Sequence, residues 1–127
     1  MKIVKITDEE IKFDNGYILK YYHEQDCCEH VYADFEILNT YNLSTKTGKE
    51  INIKDIDFEE NIQHLIEGIK DTSFNMISKI GEKFFVPCYN EQNGYYGSDL
   101  ELILVINDEI TENFNISEYV KEDKEIN

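Results

Sequence analysis

The chain contains no arginine. All twelve of its cations are lysines, set against 27 carboxylates, and the formal charge is −15. A protein that binds duplex DNA needs cations to displace counterions along the phosphates, so the balance argues against direct nucleic-acid binding. Such acidity keeps a surface solvated. It is also what a nucleic-acid mimic presents to a basic partner. Long apolar runs are missing too. The run Leu102-Ile-Leu-Val-Ile106 falls far short of the roughly 18 residues that span a bilayer. Met1-Lys-Ile-Val-Lys-Ile6 lacks the apolar segment and cleavage site of a signal peptide. The expectation is a cytoplasmic protein with no membrane span.

Cysteine is scarce. Its count of three is odd and argues against a disulfide framework, and a reducing cytosol keeps thiols free. Proline occurs once and tryptophan not at all. Aromatic rings are plentiful instead, with nine tyrosines and seven phenylalanines, suited to packing with a polar tip or to stacking. A length of 127 residues fits one domain, placed at residues 1–121 with a charged, disordered tail at 122–127.

The patterns predict an α+β fold, mostly antiparallel β-sheet with one main amphipathic helix and a short C-terminal one. Met1 to Ile6 reads as a strand. Asp14-Asn15-Gly16 lies between β-prone runs, and Asn-Gly there is a strong hairpin signal because both residues tolerate positive φ. Tyr17–Tyr22 carries apolar residues on both faces, which predicts a central strand. Val31–Leu38 begins as a strand and turns helical at its far end; residues 39–50 read as a loop. Phe58, Ile62, Leu65, Ile66 and Ile69 form one stripe of a helix over Asp57–Lys70, with Asp55 or Asp57 as cap. Phe74–Ile80 and Lys83–Tyr89 make a strand pair, and Pro87 predicts an edge or a bulge in the second. A turn follows at Asn90–Gly94, then a strand over Tyr95–Ile106. Residues 107–113 are polar, and Ile116–Lys121 reads as helical.

Chemistry-bearing residues cluster in two places. His23, Cys27, Cys28, Glu29 and His30 lie within one short stretch. Structural zinc takes four ligands, commonly as two spaced pairs, whereas adjacent cysteines point to opposite faces of an extended chain; buried thiols beneath a strand connection fit better. Cysteine catalysis needs a thiolate held by a base, and no nucleophile motif is present. Asp55–Glu59 starts like a calcium loop but lacks its glycine and final glutamate. No metal or other cofactor is expected. The second cluster is Phe84, Phe85, Tyr89, Tyr95 and Tyr96 around Asn93, rings that stack a base beside an amide that bonds its edge, or that simply fill half a core.

Phe13-Asp-Asn-Gly-Tyr-Ile-Leu-Lys-Tyr-Tyr-His-Glu-Gln-Asp-Cys-Cys-Glu-His-Val-Tyr32 resembles one signature of a family of small phage and prophage proteins. Gln92-Asn-Gly-Tyr-Tyr-Gly97 resembles its second signature, in the same order. More particularly, the chain resembles the first-described Thoeris anti-defence family of signal sponges. That resemblance implies a non-enzymatic protein of the bacterial host's cytoplasm. It would sequester, without cleaving, a cyclic ADP-ribose isomer made by TIR-domain immune enzymes, as a homodimer or higher homo-oligomer. The ligand-binding residues it implies are Phe84 or Phe85, Asn93 and Gly94, with Tyr95 or Tyr96 closing the bracket. Lys83 and backbone N–H groups would meet the pyrophosphate in place of arginine. Two other readings are an acidic inhibitor that binds a host protein directly, and a phage structural or interaction protein.

Overall fold

The computed structural model describes residues 1–23, 30–40, 43–44, 50–69, 73–91, 100–117 and 120–122. Its strands are β1 (Ile3–Ile6), β2 (Glu10–Phe13), β3 (Ile18–Tyr22), β4 (His30–Ala33), β5 (Leu43–Ser44) and β6 (Glu50–Ile51). A helical turn α1 (Ile62–Leu65) precedes β7 (Ile66–Ile69), β8 (Ser73–Ile77), β9 (Lys83–Glu91), β10 (Glu101–Ile106), β11 (Glu109–Asn115) and β12 (Lys121–Glu122). The protein is mostly antiparallel β. One sheet runs β1-β2-β3-β10-β11 and the other β12-β9-β8-β7 with β4 also on β9; β5 and β6 form a small ladder of their own.

Two hairpins are set by glycine. Gly16 donates to Phe13 at 3.1 Å, Phe13 donates to Tyr17 at 2.9 Å, and Gly16 takes φ +88°. That is a tight turn followed by one left-handed residue, a standard three-residue hairpin loop. Of the Asn15-Gly16 pair only the glycine takes positive φ; Asn15 instead accepts a bond from the Tyr17 N–H at 3.1 Å. Gly81, at φ +86°, repeats the pattern between β8 and β9. A third hairpin joins β10 to β11 through Asn107 and Asp108, both at positive φ. The polar stretch 107–113 is thus a turn and a strand. The signal was Asn-Asp flanked by β-prone residues.

β3 is central, between β2 and β10. Leu19, Ile11, Leu102 and Leu104 point from the first sheet into the core, and Phe74, Met76, Phe84, Val86 and Cys88 from the second. Phe58 joins the two layers. Its ring meets Phe13 edge-on at 6.3 Å and Phe84 at 5.6 Å.

The helix expected over Asp57–Lys70 is corrected to the four residues of α1. Asn61 caps it, accepting from the Gln63 N–H at 2.9 Å. Ile66 to Ile69 then extend and pair with Ser73–Met76. β-branched isoleucines and Gly68 are poor helix formers, and the β8 ladder bonds their backbone groups instead. Asp57, expected as a cap, accepts from the Met1 ammonium at 2.7 Å. The C-terminal helix expected over Ile116–Lys121 is corrected at its far end, since Lys121 and Glu122 pair parallel with Tyr89 and Asn90. Ser117 is in a 3-10 position, and residues 118–119 lie outside the described residues.

Pro87 lies inside the sheet, not at an edge. Its carbonyl accepts from the Asp34 N–H at 2.8 Å, and Ser78 donates to Glu82 at 2.8 Å. These two bonds fix the alternation. The β8 ladder uses the residues on either side of Pro87, and the missing N–H faces past the end of β4, where little is lost. Asn90, expected to open a turn over Asn90–Gly94, instead belongs to β9, which continues through Glu91; the rest of that turn lies outside the described residues. β9 and β10 belong to different sheets.

Candidate binding site on the second sheet

Alternation along β9 sorts its side chains. Phe84, Val86 and Cys88 face the core and are buried; Lys83, Phe85 and Tyr89 face outward. Cross-strand partners follow the same rule: Met76 opposes Phe84, Asn75 opposes Phe85, and Tyr32 opposes Tyr89. Of the two alternatives for the stacking ring, Phe84 and Phe85, only the second has a surface to offer. Phe84 has no exposed surface, while Phe85 is 40% exposed.

Lys83 Nζ is 2.6 Å from Glu67 Oε2. The Glu67 carboxyl is held below its usual range, chiefly by the hydrogen bond from Lys83. This lysine is thus ion-paired on the sheet's outer face, with about half of its surface exposed. Asn93, Gly94, Tyr95 and Tyr96 lie outside the described residues, as do Cys27, Cys28 and Glu29.

The described strands that flank the two signature stretches in sequence pair with each other. His30 pairs with Glu91, Val31 with Asn90, Tyr32 with Tyr89 and Ala33 with Cys88. The start of β4, which follows Glu29 in sequence, therefore lies beside the end of β9, which precedes Gln92. At that end Tyr32 and Tyr89 form an aromatic pair with centroids 5.4 Å apart and planes tilted by 38°. β12 takes the opposite edge of β9 and sets Lys121 level with Tyr89. In backbone register, Tyr32, Tyr89 and Lys121 thus lie level on three neighbouring strands. Phe85 is six residues from Glu91 along β9, roughly 20 Å, so Tyr89 is the nearer ring to the second motif. Tyr32 and Lys121 were not legible as site residues. Tyr32 is the last residue of the first motif, and Lys121 reads as helical until its strand partner is known.

The remaining described cysteine, Cys88, is buried, and burial pushes its thiol up to about 12. It stays protonated at neutral pH, unlike a nucleophilic thiolate. Among the described residues no group of three or more His, Cys, Asp or Glu side chains is placed to hold a metal ion. No described helix is long and apolar enough to cross a membrane.

These features define a two-sheet, mostly antiparallel β protein with an aromatic pair, Tyr32 and Tyr89, across β4 and β9. The chain belongs to the DUF7448 family, a domain of unknown function whose model matches residues 1–102. No curated protein and no solved structure matches the chain.

Proposed function

We propose that this protein captures a cyclic ADP-ribose-type nucleotide and holds it uncleaved, as a phage or prophage sponge for an immune signal. The observation that supports the reading is the Tyr32–Tyr89 ring pair on β4 and β9, the strands next in sequence to the Cys-Cys-Glu and Asn-Gly-Tyr-Tyr motifs. Both motifs fall within the matched family segment. Tyr32 and Tyr89 supply the stacking surface, and base–aromatic stacking contributes about 1–3 kcal/mol per base. Asn93 supplies a donor and an acceptor for the base edge. Lys121 pairs level with Tyr89 in the backbone register of β12 and β9, and Lys83 is bonded to Glu67. The buried, protonated Cys88 offers no nucleophile. The sponge works as a homodimer or larger homo-oligomer.

The test loads the purified protein with the product of a TIR-domain enzyme, denatures it by heat and identifies what is released. Recovery of the unchanged cyclic product, lost in Tyr89→Ala and in Asn93→Ala, is the expected result. A linear product would make the protein an enzyme. Absence of any retained nucleotide would reject the sponge.

A further inference from the structure

The outward face of the first sheet forms a groove of about 630 Å³. Ile18, Ile103 and Val105 form its floor, half-buried on adjacent strands. A shift of register after Leu104 sets Ile110 opposite Val105, and Ile110 is 66% exposed. Tyr22, on the same face as Lys20 and Ile18, is 53% exposed. The rim carries Glu9, Glu10 and Asp108 beside Lys20 and His23, and Glu10 also lies 3.6 Å from Lys12, so carboxylates outnumber lysines three to two. Beside it the Tyr21 hydroxyl is pushed up by burial and then by Glu9 and Asp8, as a negative field at that rim requires.

We propose that this groove docks a cationic amphipathic helix of a partner protein. An apolar floor on neighbouring strands is the surface that a helix covers in layered folds. Four strands at about 4.8 Å spacing make a bed roughly 14 Å wide, enough for a helix about 10 Å across. Charge selects the occupant. A second copy of this chain docked on this groove would set the same rim carboxylates against themselves, and like charges directly across an interface are costly. Nucleotides and other anions are disfavoured for the same reason. Lysine or arginine side chains lay their stems on Ile110 and Tyr22 and their heads among the rim carboxylates.

The groove is on the opposite sheet from the proposed nucleotide site, so the two stand or fall separately. The probe is a labelled lysine–leucine amphipathic helix, read by fluorescence anisotropy on the full chain, with a glutamate–leucine helix as counterpart. Wild-type protein should bind the cationic helix and not the anionic one. Ile110→Ser should weaken binding about tenfold, the scale set by burying one aliphatic side chain, and Glu9→Lys should weaken it similarly. Glu60→Lys, an exposed position preceding α1 on the second-sheet side, makes the same change in net charge and should leave binding intact. Circular dichroism melts check that each variant folds. Failure of the cationic helix to bind would overturn the proposal. So would equal weakening by Glu60→Lys, which would reduce the effect to net charge alone.

Discussion

Tyr32 and Tyr89 face each other across β4 and β9 with ring centroids 5.4 Å apart. The contact joins the last residue of one signature stretch to a strand that runs straight into the other. If a base stacks on this pair, Tyr89→Ala lowers nucleotide affinity by roughly 5- to 150-fold, the equivalent of about 1–3 kcal/mol. Phe85→Ala, six residues back along β9, should change affinity far less. Isothermal titration with the TIR-enzyme product measures both, and equal losses would return the site to Phe85.

Phe84 and Phe85 are neighbours in sequence with opposite environments. Phe84 packs edge-on against Phe58 in the core. Phe84→Ala should destabilise the fold by about 3–5 kcal/mol, the range for a buried phenylalanine. Phe85→Ala, on the outer face, should cost less than half of that. Urea unfolding monitored by circular dichroism separates the two.

The Met1 ammonium is buried, donating to Asp57 Oδ1 at 2.7 Å and to the Phe58 carbonyl at 2.8 Å. Lys79 Nζ lies 3.7 Å from the other Asp57 oxygen. The Asp57 carboxyl is held below its ordinary 3.8, first by the hydrogen bond from that ammonium. A carboxyl with a depressed folded-state pKa stabilises the fold fully above its unfolded pKa and loses that contribution as pH falls through the folded one. Wild type should therefore exceed Asp57→Asn in urea midpoint at pH 7, and the gap should shrink once the pH drops below about 4. A gap that stayed constant on acidification would contradict the assignment.

Cys88 should resist thiol reagents in the native state. Its burial and raised pKa, about 12, leave almost no thiolate at neutral pH. In a Cys27→Ser/Cys28→Ser background, a disulfide reagent should label no thiol until urea unfolds the chain, and then one. Prompt labelling of the native variant would show that the strand opens readily.

Local signals in the sequence determined a good part of this fold. Gly16 and Gly81 set hairpins because the left-handed backbone carries little penalty without a Cβ. Two-faced apolar character placed β3 between neighbours, and the turn to helical geometry after Val31 appears at Phe35–Thr40. The acidity and the two signature stretches are legible without coordinates. Tertiary structure decided what depends on partners distant in the chain. Phe58, Ile62, Leu65, Ile66 and Ile69 satisfy a helical period, yet β8 offers the Ile66–Ile69 backbone a ladder that an isolated sequence cannot show. Pairing between β4 and β9, some sixty residues apart, brings Tyr32 to Tyr89, and the added parallel β12 sets Lys121 level with Tyr89 in register. Such long-range ladders close only when the whole core is buried, so the aromatic pair exists in the folded chain and is invisible along it.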